Sequence, residues 1–263
     1  MRNRRAAMII LAVLVAGARP EAHAADTRTL HYDVFYLAFR VLAVDVQSHV
    51  ERAAYRTSVS LRTAGLFAAI VPWRSSATAG GTIEGPTLRP SFYRVQSEYR
   101  DRAQRIDLEY GDAGRVGGGV DGVLTDGERD DVPEPLRAGT MDPVTAEAAV
   151  VQRLAATGTC AGTVRIFDGL RRYDLRYDDL GVGDLEPSRY DSYRGSARLC
   201  RASVDPVAGF LRSGEHAGEQ ATQVLAWLAP PVAGATPVAV RIELSGPRGT
   251  LHAHLAEPTP DAP

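Results

Sequence analysis

Apolar and polar positions alternate with a period of two along most of this chain, the spacing of strands with one buried and one wet face. Tyr55, Thr57, Val59 and Leu61 alternate with Arg56, Ser58, Ser60 and Arg62. Tyr93, Val95 and Tyr99 oppose Arg94, Gln96, Glu98 and Arg100, and Ile106, Leu108 and Tyr110 oppose Arg105, Asp107 and Glu109. The pattern recurs at Tyr173, Leu175 and Tyr177, and again at Val238, Val240, Ile242 and Leu244. Phe35 to Val46 is apolar at both parities and predicts a strand covered on both sides. Turn signals at Gly80-Gly81, Gly85-Pro86, Gly111 to Gly114, Asp168-Gly169 and Ser245 to Gly249 separate the runs. Connections so short make hairpins and meanders, because a parallel crossover needs a dozen or so linking residues.

Two segments predict helices. Asp142 as N-cap and Pro143 at the first helical position precede Thr145 to Ala156, which places Val144, Ala148, Val151 and Ala155 on one face and ends before Gly158. A shorter helix is expected through Ala64 to Ile70, stopping before Pro72. Between them, Asp121 to Arg137 is acidic and rich in Pro and Gly, and reads as an exposed loop.

Two helices cannot shield so much apolar strand surface if the sheet stays flat. The expected fold is therefore mainly β: a single curved antiparallel sheet, a half-open barrel, with one or two helices packed on its concave side. Such a barrel either fills with side chains or keeps an apolar cavity. Leu66, Phe67, Ile70 and Trp73 form a cluster suited to capping the mouth of a cavity, or to completing the core.

The ends of the chain change the picture. Arg2, Arg4 and Arg5 precede an apolar run, Ala6 to Gly17, and Ala22-His23-Ala24 offers small residues for cleavage. Residues 1–24 read as a secretory signal peptide, and 25–263 as one β-rich domain; a retained interfacial anchor is the rival. The apolar run is shorter than the roughly 20 residues a membrane-spanning helix needs, and no later segment is long enough. Cys160 and Cys200 then fall in the exported part, where two cysteines are best explained as one disulfide.

Composition and motifs narrow the function. The 263 residues are 24% charged with net charge −2, and every basic side chain other than histidine is arginine. Near charge balance leaves no excess to neutralise phosphates, so nucleic acid is not an expected partner. His252 and His254 share one face of the last strand, opposite Leu251 and Leu255, and are expected on the wet side without a third metal ligand. The acidic run Asp121 to Asp131 lacks calcium-loop spacing. No nucleophile elbow, zinc helix, phosphate loop or dinucleotide fingerprint occurs, so neither a metal nor a cofactor is expected.

The stretch Phe167-Asp168-Gly169-Leu170-Arg171-Arg172-Tyr173-Asp174-Leu175, with Cys200 and Pro206 to Phe210 after it, resembles an exported bacterial family, domain of unknown function 3108. Leu61 to Leu66 and Pro72-Trp73 are similar to its N-terminal half, although Ala38-Phe39-Arg40 stands where a hairpin glycine is expected. The resemblance implies a shape similar to periplasmic lipoprotein carriers, a Gram-negative periplasmic location and a lipidic ligand; it assigns no catalytic residue. The expected function is a non-catalytic binding or carrier protein for an apolar ligand, with Leu66, Phe67, Ile70 and Trp73 as candidate contacts. An envelope protein-interaction or regulatory module with a filled core is the alternative, and a hydrolase with a site assembled from distant strands is the third reading.

Overall fold

In a computed structural model the described residues are 26–124, 127–188, 190, 193–212, 223–231, 235–247 and 249–256. Thirteen strands form one antiparallel sheet: β1 (Asp26–Tyr36), β2 (Phe39–Val50), β3 (Ala54–Thr63), β4 (Trp73–Glu84), β5 (Thr87–Tyr99), β6 (Arg102–Tyr110), β7 (Val116–Gly122), β8 (Gly162–Phe167), β9 (Arg172–Leu185), β10 (Gly195–Ala208), β11 (Gln223–Ala229), β12 (Val238–Gly246) and β13 (Gly249–Leu255). Their order is β7-β6-β5-β4-β3-β2-β1-β13-β12-β11-β10-β9-β8. Two meanders meet where the first strand pairs with the last, for example Val34 opposite Ala253. The expected signal peptide, residues 1–24, lies outside the described residues.

The sheet is not closed by pairing between its end strands β7 and β8. Side chains close it instead. Ala77, Ala79, Tyr93, Ile106 and Leu108 from β4 to β6 share a core with Phe167 and Leu170 from the β8–β9 hairpin. Gly169 comes so close to β6 that a Cβ would stand 2.4 Å from Ile106 Cγ2. The segment after β7 bridges the gap: Gly139 N–H donates to Gly114, and Met141 forms a parallel bridge with Ile166 on the outer side of β8. This segment is more ordered than its composition suggests. Asp121 and Gly122 complete β7, a four-residue helix α2 (Glu134–Arg137) follows, and Val132 is buried against the core.

Three elements differ from the expectation for identifiable reasons. Phe35 to Val46 is a hairpin, not one strand; Leu37 turns the chain at φ 54°, a left-handed value taken without glycine. Gly80-Gly81 lies within β4 at a bulge, where the missing side chain makes room for the Phe92 ring. The first helix, α1 (Phe67–Ile70), is a single exposed turn that packs beside β3. Short isolated helices are marginal without tertiary support.

The main helix, α3 (Pro143–Thr157), starts and stops as its capping residues dictate. Asp142 accepts a hydrogen bond from Thr145 N–H at 2.8 Å, and Gly158 takes the left-handed conformation after the last turn. It touches β3, β4 and β5 from one half of the sheet and β8 from the other, which places it inside the concavity. The buried stripe is Ala146, Val150 and Leu154, not the Val144, Ala148, Val151 and Ala155 face. Both stripes are apolar, so the sequence leaves the choice to the surface the helix meets. The helix is tied to the sheet just beyond its end by Cys160–Cys200, with sulfurs 2.02 Å apart and a sequence separation of 40.

Reduction, or Cys200→Ser, is expected to lower the melting temperature, since a crosslink spanning a loop of this length contributes about 4 kcal/mol on the chain-entropy model. Calorimetry with and without reductant checks this, and an unchanged transition would show that the crosslink does not support the fold.

Candidate functional site

Strand directions sort the molecule into two ends. Tyr55 at the start of β3, the β4–β5 turn and the β11–β12 connection share the end occupied by α3; α1 follows the far end of β3. With ten residues in β3, these ends are roughly 30 Å apart. At the α3 end, the concavity that the helix does not fill is an open trough of about 530 Å³. Leu154 and Ala155 of α3 form one wall; Val182, Ala197, Leu228 and Pro237 form the others. Its volume falls within the range of small-molecule sites, though it opens broadly to solvent.

Arg198 is the charged side chain on this trough, and it is already engaged. Its Nη1 donates to both oxygens of Asp179, at 2.8 and 3.0 Å. Asp179 also accepts from the backbone N–H of Cys160 and Gly181. Burial works to raise its pKa, but the hydrogen bonds from Thr159, Gly181, Arg198 and Cys160 outweigh it and hold the carboxyl at about 2. A second, polar hollow of about 240 Å³ lies between His31, Asp33, Arg40, Asp45 and Arg62. Its charges are mutually satisfied: Asp45 is bonded to His31 at 2.6 Å and to Arg62 at 2.7 Å, and Arg40 to Asp33 at 2.6 Å. The trough is thus the concave surface suited to apolar contact.

Polar contacts border the apolar core beneath α3. Tyr55 Oη and Thr145 Oγ1 are 2.8 Å apart, and Tyr177 Oη donates to Glu147 at 3.1 Å. Asp142 is fully buried, and its Oδ2 and the hydroxyl of Tyr110 have no hydrogen-bond partner among the described residues. Burial lifts the Asp142 pKa to about 6 against the opposing bonds from Thr145 and Val144. Burial also pushes Tyr55, Tyr93 and Tyr110 upward, reinforced by the charge of Asp142. These groups gather at the N-terminal turn of α3 and the strands beneath it.

The apolar residues singled out in sequence do not line the trough. Leu66, Phe67 and Ile70 are exposed on and beside α1, and Trp73 begins β4 half-buried, at the opposite end from the trough. His252 and His254 do share a face, with ring centroids 6.5 Å apart. His254, however, is only 3% exposed instead of solvated, because Phe35 and Tyr190 cover that part of the outer face at 6.0 and 5.9 Å. Among the described residues no group of three or more His, Cys, Asp or Glu could hold a metal. Apart from Arg198, the trough residues missed in sequence are ordinary apolar, small or hydroxyl side chains from separate elements, which carry no local signal.

The Phe167 to Leu175 motif has a structural explanation. Asp168 Oδ1 accepts from the N–H groups of Leu170 and Arg171 at 3.0 and 2.7 Å, and Arg171 Nη2 returns to Oδ2 at 2.7 Å. Arg171 also lies over Tyr173 and Phe210. Gly209, at φ +79°, sits where a Cβ would be 2.0 Å from the Leu170 carbonyl oxygen. The motif therefore builds the hairpin that brings the two ends of the sheet together.

A curved antiparallel sheet, left open and folded around one capped helix, defines the protein as a β-barrel-like half-barrel. The chain belongs to the family described as Protein of unknown function (DUF3108), whose model matches residues 29–255. It is similar to the crystal structure of a beta-barrel-like protein of domain of unknown function DUF1849 from Brucella abortus, with 10% identity, 88% of this chain and 95% of that chain covered, and a TM-score of 0.48. No curated protein matches the chain.

The buried Asp142 gives a signed prediction. Its folded pKa stands above the unfolded value of 3.8, so the stability it contributes is present at low pH and is lost as pH rises through about 6. Asp142→Asn keeps a good N-cap and removes the charge. The variant is expected to be more stable than the parent at pH 8, by on the order of 2 kcal/mol, and to lose this component of pH dependence. Denaturant titrations from about pH 3 to 8 measure both, since the loss falls between 3.8 and about 6.

Proposed function

We propose that this is a non-catalytic binding or carrier protein of the periplasm, holding an apolar, lipid-like ligand in the trough beside the end of α3. The carrying observation is the trough itself: about 530 Å³ of open concavity walled by Leu154, Val182 and Leu228, whose bordering cation is already neutralised. An acyl chain laid there would gain about 0.8 kcal/mol per methylene withdrawn from water. The N-terminal pattern of residues 1–24 and the Cys160–Cys200 disulfide support an oxidising compartment outside the cytoplasm. The family match indicates no catalytic class.

A specific observation also favours the interaction-module reading. Where α3 packs, Ala146, Val150, Leu154, Ile166 and Tyr177 fill the concavity completely enough to form one continuous core. The two readings separate on occupancy. Native mass spectrometry of protein purified from periplasm, followed by titration with a fluorescent fatty acid, is expected to show bound lipid or uptake. Ala155→Trp, an exposed position on the trough wall, is expected to weaken uptake about tenfold by displacing roughly two methylenes of ligand contact. Lipid-free preparations that take up no fatty acid would instead favour the interaction module.

A further inference from the structure

The trough beside α3 has a polar border, and the hydrogen-bonding groups left open there narrow what it can hold. Arg198 commits Nη1 to the two oxygens of Asp179, at 2.8 and 3.0 Å, while its Nε and Nη2 donate to no described residue. The side chain lines the trough with 26% of its surface open, so these N–H groups are within reach of a ligand. On the helix wall, Ala155 and Gly158 line the trough where α3 ends, and Gly158 N–H closes the last turn on the Leu154 carbonyl. The N–H groups that follow turn elsewhere, Cys160 to Asp179 and Ala161 to Thr159 Oγ1. The carbonyls of Ala155, Ala156 and Thr157 therefore accept no hydrogen bond among the described residues, and no basic side chain lies in the last turn. Such carbonyls carry the negative end of the helix dipole.

Charge decides which head group suits this border. Arg198 is the one ionisable side chain among the described residues that line the trough, and Asp179 cancels its charge. With its carboxyl held at about 2, Asp179 stays ionised across the ordinary pH range, so the cancellation persists. The border thus offers donors and acceptors together without a net formal charge. A carboxylate or phosphate head would leave water for a place with no countercharge and would meet the carbonyls of α3. An ammonium head would meet the free N–H groups of Arg198. Withdrawing an uncompensated charge from water costs far more than withdrawing an ester or hydroxyl that finds a partner.

We infer, resting on the carrier reading above, that the trough selects an uncharged amphiphile: an acyl chain on an ester- and hydroxyl-bearing head, as in a monoacylglycerol. The chain lies against Leu154, Val182 and Leu228. The ester carbonyl accepts from Arg198, and the head hydroxyls donate to the C-terminal carbonyls of α3, so both open sets of hydrogen-bonding groups are satisfied at once.

Calorimetric titration of the full chain with monolauroylglycerol, laurate and laurylamine, three probes with the same chain and each kept below its micelle-forming concentration, tests this. At pH 8 the glycerol ester is expected to bind at least about tenfold more tightly than either charged probe. Asp179→Asn unmasks the charge of Arg198 and is expected to strengthen laurate about tenfold; Arg198→Gln unmasks Asp179 and is expected to do the same for laurylamine. Laurate or laurylamine binding the parent protein as tightly as the ester, or an unchanged order of the three in both variants, would overturn the choice of head group and leave the carrier reading standing. Binding of none of the three would remove both.

Discussion

Thirteen strands in a single sheet present an apolar face far larger than fifteen helical residues can cover, and hiding that face governs the rest of the structure. The solution is curvature. The sheet wraps until the β8–β9 hairpin rests on β4 to β6, so that much of the apolar face is buried against itself. The helix α3 occupies the space that remains next to β3, β4, β5 and β8. Because the edges meet through side chains and a bridging segment and not through a ladder, the barrel stays open. An open barrel around one helix leaves a trough where the helix ends.

The outer face obeys a different rule. It is held by cross-strand arginine–carboxylate pairs such as Arg94 with Glu109 and Arg201 with Asp178, each exposed and individually worth little. Their value lies in register: with period-two alternation, a slip by one residue would turn these charges into the core. The exception is the strip around His254, Phe35 and Tyr190, where aromatic rings replace water on the outer side. Opposite faces of one sheet thus differ in chemistry, and the molecule's two ends differ as well: an apolar hollow at one, a protruding apolar tip at the other.

The family motif acquires its meaning from this closure. Asp168 organises the turn, Gly169 lets it approach Ile106, and Gly209 lets β10 leave beneath the Leu170 carbonyl. These residues position no reactive group. Their demand is steric, which is why the motif consists of glycines and a turn-forming aspartate rather than a nucleophile, a base and an oxyanion donor. The buried Asp142 and its neighbouring tyrosines lie at the helix N-terminus, apart from this hairpin motif.

Local chemistry alone specified much of this protein: strand alternation, the antiparallel connections, the Asp142 cap, the Gly158 stop and the pairing of the two cysteines all follow from interactions within a few residues or from a choice of one partner. Curvature of the sheet followed as well, because it is a matter of total areas. Tertiary structure decided what depends on distant surfaces. It selected Ala146, Val150 and Leu154 over an equally apolar stripe of α3, covered His254, stranded Leu66 and Ile70 outside the core, and assembled the trough from small side chains of separate elements. Periodicity states that a side chain is apolar and which way it faces along its own strand; only the meeting of remote strands fixes what, if anything, stands opposite.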